Sequence, residues 1–426
     1  MKTRFFLYSV LVTFLFYSAC DNEVVAPADC SMTANTMEQS TNIEIETMRQ
    51  AMMAFRNSLS EELRNQGTVC LDNARVYTWH NTPMAVTPRD GITYGDLNTT
   101  QLNLFKDLMQ LFLSAEGYQK VNEITTLAEG FLADIDDFWN TSHYSIDMFG
   151  DPENSGSWGF QLDGHHCVVN FLVHGDQVSM VPAFLGGEPI KETYNGIAFD
   201  IFKDERDLAL VLYNGFTNIE NTAAVSTGSS ATMVVGPASD GEDPDPYRGN
   251  YDYSGFTNGL KYSDMSTTTQ ANLILLMKEY VYNLNTTFAD IWWADIMNNI
   301  EDTYFVWLDN VNTPTATSQF YYRIYNPYLW VEYNMEPPVG DGIEIWNHAH
   351  TITRIPNNPS TTNGGDYGIF AKIINDGGVR TLYEHYMKAD HHKDSALPFD
   401  YKVKMPHHHK HDHNHHHGHH HTHHHG

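Results

Sequence analysis

An α+β fold is what the sequence predicts: helices plus antiparallel sheets, arranged as two pseudo-symmetric helix–helix–strand–strand–strand repeats. Three observations carry this. Apolar residues first recur at helical intervals, then alternate between turn dipeptides as strands do, and the whole order restarts in the second half. Residues 43–65 place Ile45, Met48, Met52, Phe55, Leu59 and Leu63 on one helix face. Thr100 opens a second helix with a stripe of Leu102, Phe105, Leu108, Met109 and Phe112, and a third follows Gly117 over about 121–138. Residues 144–149, 158–163, 165–174 and 178–184 read as strands, with Asp163-Gly164 and Gly175-Asp176 as turns. A helix over 204–213 and a loop over 222–255, rich in Ser, Gly, Pro and Asp, complete the first half.

Thr268-Thr269-Gln270 then opens a helix as Thr99-Thr100-Gln101 did, carrying Leu273, Leu276, Met277, Tyr280 and Val281. A helix over 288–300 and strands over 304–308, 320–325 and 329–333 follow in the earlier order. An offset of 162 lays Trp158 to Phe171 on Phe320 to Tyr333, so that Asp163-Gly164 meets Tyr325-Asn326 and Asn170 meets Glu332. Two copies of one unit, about 99–200 and 268–370, are therefore expected within a body of 43–390.

The chain carries 53 Asp+Glu against 24 Lys+Arg, a formal charge of −29, with 41% hydrophobic residues including 24 Tyr, 22 Phe and 8 Trp. So many aromatics exclude a fully disordered acidic protein. So few cations leave no patch for phosphate contacts, and no nucleic-acid partner is expected.

Residues 1–19 read as an export signal: Lys2 and Arg4, an apolar run over 5–17, then Ser18-Ala19 before Cys20. The run is short for a membrane span, and small residues before a cysteine resemble a bacterial lipoprotein processing site, with Tyr17 where that pattern has an aliphatic residue. Lipidation at Cys20 is the favoured outcome over ordinary cleavage or a retained anchor. It implies an extracytoplasmic location, periplasmic or cell-surface, with a membrane attachment through the N-terminal lipid. Polar residues 20–42 then serve as a tether. Of the other cysteines, Cys30 and Cys70 are the expected disulfide pair, and Cys167, inside an alternating apolar run, is a buried small residue.

Residues 391–426 are a disordered tail. Its last stretch, 406–426, holds 14 of the 24 histidines: His407, His408, His409, His411, His413, His415, His416, His417, His419, His420, His421, His423, His424 and His425. At three or four imidazoles per ion it has room for roughly three to five divalent ions, Zn, Ni or Cu. The other reading is a pH-responsive spacer.

Trp158-Gly-Phe-Gln-Leu-Asp-Gly-His-His-Cys-Val-Val-Asn-Phe171, the stretch 182–189, Phe305-Val-Trp-Leu-Asp309, Tyr321-Tyr-Arg-Ile324, Trp330-Val-Glu-Tyr333, His348-Ala-His350, Arg354 and Asp366-Tyr-Gly368 together resemble the bacterial Domain of Unknown Function 3500 family, over about 45–374. Gly-His-His-x-x-x-Asn-Phe and His-x-His…Arg…Asp-Tyr-Gly stand out in the family's pattern. This chain has a longer insert between Arg354 and Asp366. The resemblance implies an extracytoplasmic globular protein with a shared site, and no reaction.

Strand alternation puts His166, Asn170 and His174 on one face and His165, Cys167, Val169 and Phe171 on the other, so one histidine of the 165–166 pair turns inward. It also aligns His348 with His350. A site of His165 or His166, His348, His350 and a carboxylate such as Asp366 or Glu332 has the donors of a divalent transition-metal centre, and an open position would activate water. Arg354 or Arg323 would suit an anionic substrate. The competing readings are a buried polar network, in which inward histidines, Asn170, Glu332 and Arg323 satisfy one another, and metal-free acid–base chemistry or organic-ligand binding. No H-E-x-x-H, G-x-S-x-G or P-loop pattern occurs. Asp240 to Asp245 reads as a solvated acidic loop before a calcium site, and Trp292-Trp293 as helix packing before a carbohydrate platform.

Overall fold

The computed structural model describes residues 38–356, apart from 72, 77, 137, 232, 235–252, 310–312 and 339–341. The export segment, Cys20, Cys30, the acidic loop at 240–245, Asp366 and the histidine-rich tail lie outside the described residues.

The fold is α+β. The helices are α1 (Ile43–Ser58), α2 (Glu61–Gly67), α3 (Thr99–Phe112), α4 (Ala115–Asn122), α5 (Glu129–Ile135), α6 (Lys203–Asn214), α7 (Asn218–Ala224), α8 (Thr267–Val281) and α9 (Thr286–Asn298). A π-helical stretch, Glu123–Ala128, joins α4 to α5, so the expected third helix is one rod with a wider turn inside it. The strands are β1 (Thr68–Val69), β2 (Ile92–Thr93), β3 (Ser145–Gly150), β4 (Ser157–Gly164), β5 (Cys167–His174), β6 (Gln177–Ser179), β7 (Ala183–Gly187), β8 (Lys191–Tyr194), β9 (Ile197–Asp200), β10 (Val225–Thr227), β11 (Leu260–Lys261), β12 (Tyr304–Asp309), β13 (Phe320–Asn326), β14 (Leu329–Met335) and β15 (Ala349–Arg354).

Among the described residues β8 and β9 form a separate hairpin and the other strands form one mixed sheet, ordered β1-β3-β4-β5-β7-β15-β14-β13-β12-β10. The expected sheets are antiparallel, yet β1–β3 and β10–β12, at the two ends, are parallel. Both short end strands follow directly on a helix, α2 or α7, and so enter the sheet from a crossover rather than from a hairpin. The two sides meet at β7 and β15, which pair antiparallel from Ala183↔Thr353 to Gly187↔Ala349.

One sheet face carries Cys167, Val169, Phe171, Val331 and Tyr333 into the core shared with α1, α3, α4, α6, α8 and α9. The opposite face carries Val168, Phe184, Trp330 and Ile352, covered by Trp79 and Tyr253. Trp292 is helix packing, its indole N–H donating to the Tyr328 carbonyl at 2.7 Å. Cys70 is in a disulfide, and its expected partner Cys30 lies outside the described residues, while Cys167 is a free thiol that burial pushes well above the usual thiol range. No helix among the described residues is long and apolar enough to cross a membrane.

The expected turn Asp163-Gly164 falls inside β4, whose last pair is Gly164↔Cys167, so the turn is His165-His166. Asp163 stays in the strand because its carboxylate is engaged there, by Arg89 at 3.0 Å and by the His80 backbone N–H. The expected strand over 178–184 divides into β6 and β7.

A buried carboxylate fastens two helix starts. Glu220, in the first turn of α7, accepts from the Thr217 N–H at 2.7 Å and from the Ser266 N–H, the N-cap of α8, at 2.6 Å. Burial pushes this carboxyl up, but the donors outweigh it and hold it at about 2 against an ordinary 4.5. A depressed carboxylate stabilises above its unfolded pKa and loses that contribution as pH falls through the folded value. Glu220→Gln should therefore lower stability by about 1.5–3 kcal/mol at pH 7, with the gap to wild type narrowing below about pH 4.5. Urea unfolding at a series of pH values checks this, and a pH-independent gap would contradict it.

Candidate functional site

Three histidines meet where the two sides of the sheet join. His166 lies in the β4–β5 turn with φ of 60°, a left-handed conformation that costs a residue with a β-carbon. Two backbone bonds hold it there: its N–H donates to the Asn81 carbonyl at 3.2 Å, and its carbonyl accepts from the Gly186 N–H at 2.7 Å. His350 lies on β15 opposite Gly186, and His348 immediately precedes the strand on the same face. The Nε2 atoms of His166 and His348 are 3.2 Å apart, and those of His348 and His350 are 2.9 Å apart. All three rings are buried, at 4%, 4% and 3% exposure.

The outer nitrogens decide what the inner ones are. His348 Nδ1 faces the Pro337 carbonyl at 3.2 Å, and a carbonyl only accepts, so Nδ1 carries the proton. His350 Nδ1 faces Glu336 Oε1 at 3.2 Å. Burial raises that carboxyl, but the His350 hydrogen bond and charge, with Asn334, outweigh it and bring Glu336 to about 2, so it too only accepts at neutral pH. Burial, then the field of His350, lowers His348 to about 3, and burial with His165, His350 and His348 holds His166 well below the usual imidazole range. With both Nδ1 atoms on acceptors, the two Nε2 atoms face each other across 2.9 Å, and when both rings are neutral each presents a lone pair there. In that state the contact is repulsive unless a cation, a proton or a metal ion, lies between them. A tetrahedral ion with metal–nitrogen bonds of about 2.0–2.1 Å sets its nitrogens roughly 3.3 Å apart, close to the spacings here.

His165 is not the partner facing away that strand alternation predicts. Because the pair is a turn, both rings are buried, and His165 packs against His166 with centroids 3.7 Å apart and the planes tilted by 32°. Its other face meets Trp139 at 4.5 Å, and its Nδ1 is 2.7 Å from Glu129 Oε2. It buttresses His166 and does not join the group of converging donors.

The other expected site residues are elsewhere. Glu332 accepts from the Val234 N–H, the Tyr321 hydroxyl and the Trp330 indole at 2.6, 2.7 and 2.9 Å, and does not join the histidines. Arg323, its cross-strand neighbour, donates to Asn258 and lies between the Phe256 and Trp330 rings at 4.9 and 5.4 Å. Arg354 is four residues along β15 from His350, about 13 Å away, over the Trp79 ring. Asn170 is fixed by Gln161 and the Pro182 carbonyl, each at 2.7 Å. Arg323, Glu332 and Asn170 thus have polar partners of their own, away from the three histidines. Asp366 lies outside the described residues.

Glu336, Glu129 and Glu188, whose Oε2 is 3.8 Å from His348 Nδ1, escape the sequence reading. Only the register reveals Glu336: Asn334 opposes His350, so Glu336 extends past it on the face that His348 and His350 share.

A family model described as "Protein of unknown function (DUF3500)" matches residues 41–368, and no curated protein or solved structure matches the chain.

Gly186 is the floor of the cluster. A β-carbon there would lie 2.7 Å from His350 Cδ2 and 3.1 Å from His166 Cδ2. Gly186→Ala should drive the two rings off their positions at a cost of about 1–3 kcal/mol. Histidine ring resonances in NMR spectra, with urea unfolding alongside, check this; an unmoved set of ring signals would contradict it.

Proposed function

The chain belongs to the DUF3500 family, a family of unknown function, and from the geometry of its histidine cluster we propose that it is a metal-binding protein whose body holds one divalent transition-metal ion on His166, His348 and His350. The observation that carries this is the convergence of the His348 and His350 Nε2 atoms at 2.9 Å while both Nδ1 atoms are taken by acceptors, for which a shared cation is the simplest counterpart. The outer carbonyl and carboxylate fix each tautomer, as partners of metal-bound imidazoles do. The donor set fits Zn, Ni or Cu.

The wider reading is an exported protein, lipid-anchored at Cys20, that captures or buffers such ions at the cell envelope through the tail of His407 to His425. The tail's imidazoles would exchange ions loosely and release them as pH falls through about 6.5, whereas the body's site is preformed. An envelope hydrolase or oxidoreductase is the second reading. It is favoured by the count of protein donors among the described residues, since three leave a coordination position open, as catalytic sites do.

The two halves are, on the same reading, copies of one unit. The offset of 162 sets Cys167 on Leu329, the first residues of β5 and β14, and Tyr94 and Tyr262 each donate a backbone N–H at 2.8 Å to the residue just before β3 or β12.

Metal analysis of purified protein tests both sites. The full chain should hold roughly three to five Zn²⁺ on the tail and one more in the body. Removal of 407–426 should leave about one per chain, and His348→Ala with His350→Ala in that shorter chain should leave none. A tail-free chain that takes up no ion would sink the body site, and equal uptake with and without the tail would sink the tail's role.

A further inference from the structure

We propose that the remaining coordination position of the three-histidine centre takes a small anion; this rests on the metal-binding reading and names the ligand that completes the site. Each protein donor is a neutral imidazole, and among the described residues no carboxylate or thiol joins the converging group. The carboxylates nearby all address the other ring nitrogen: Glu336 faces Nδ1 of His350, Glu188 faces Nδ1 of His348, and Glu129 faces Nδ1 of His165. A divalent ion here keeps both charges within its own coordination sphere.

That charge is buried. The ligands are 3–4% exposed, and Phe184 covers His350 at a centroid distance of 5.1 Å. Glu336, Glu188 and Glu129 answer that charge only from beyond the imidazole rings, and a buried charge is costly when nothing in its own coordination sphere offsets it. Water in the open position would leave the charge unchanged, whereas an anion bound directly to the ion removes one unit of it. Arg323 and Arg354, the cations expected to receive an anion, are held over Phe256, Trp330 and Trp79, so the metal itself is the anion receptor. The burial of all three ligands favours an occupant of a few atoms: hydroxide from water, or a small inorganic anion.

Co²⁺ and azide serve as probes. The visible spectrum of the Co²⁺-loaded full chain is recorded as a difference against His350→Gln, which cancels the tail's contribution; His166→Gln replaces that variant if it does not fold. Azide should change the difference spectrum saturably and tighten Co²⁺ binding at this site on the order of tenfold, by reciprocal linkage. Raising pH without azide should alter the spectrum if hydroxide is the occupant, and azide should then displace it competitively. If neither addition changes the spectrum of site-bound Co²⁺, the position is closed by another group and the proposal is wrong. If the difference spectrum shows no site-bound Co²⁺ at all, the metal-binding reading fails and takes this proposal with it.

Discussion

The pairing of β7 with β15 is the contact on which the rest depends. Five backbone-paired positions, Gly187↔Ala349 to Ala183↔Thr353, join strands far apart in the chain and make one sheet of two strand sets. Without it His350 would not face Gly186, nor would His166, anchored by Gly186 N–H, meet His348. Closing that long loop costs entropy, offset by the shared core on one face and the Trp79–Phe184–Trp330–Ile352 cluster on the other.

The histidine cluster contrasts with the other buried polar groups on the sheet. Glu332 has three donors on its two oxygens, Asn170 both donates and accepts, and Asp163 has its guanidinium and backbone donors. These are satisfied networks, which fix the packing of loops against strands. At the histidines each outer nitrogen has a partner of the right kind, and this very satisfaction leaves the inner nitrogens facing one another. A structural network relaxes by choosing complementary tautomers; here Pro337 and Glu336 draw the proton of each neutral ring to Nδ1.

Helices and hairpins are legible in the sequence because local periodicity reports which face is buried, and Met48, Met52, Phe105 and Leu276 occupy the core as their spacing requires. Turn position is less legible. Asp163-Gly164 has turn composition, yet the tertiary partner Arg89 keeps Asp163 in a strand and moves the turn onto two histidines. That two-residue shift explains why His165 and His166 pack together rather than oppose each other. His348 and His350 are readable as a same-face pair, but their meeting with His166 depends on strand pairing across the chain, and the roles of Glu129 and Glu336 depend on it too.

Cys167 follows His166 directly, opens β5, and is paired with Leu185 of β7 beneath the cluster. Its thiol is fully enclosed and, burial having raised its pKa, unreactive while the sheet is closed. A thiol reagent would therefore reach it only through transient opening of the β5–β7 pairing, so its labelling rate under native conditions is a clock for local opening beside the histidines, independent of any ion.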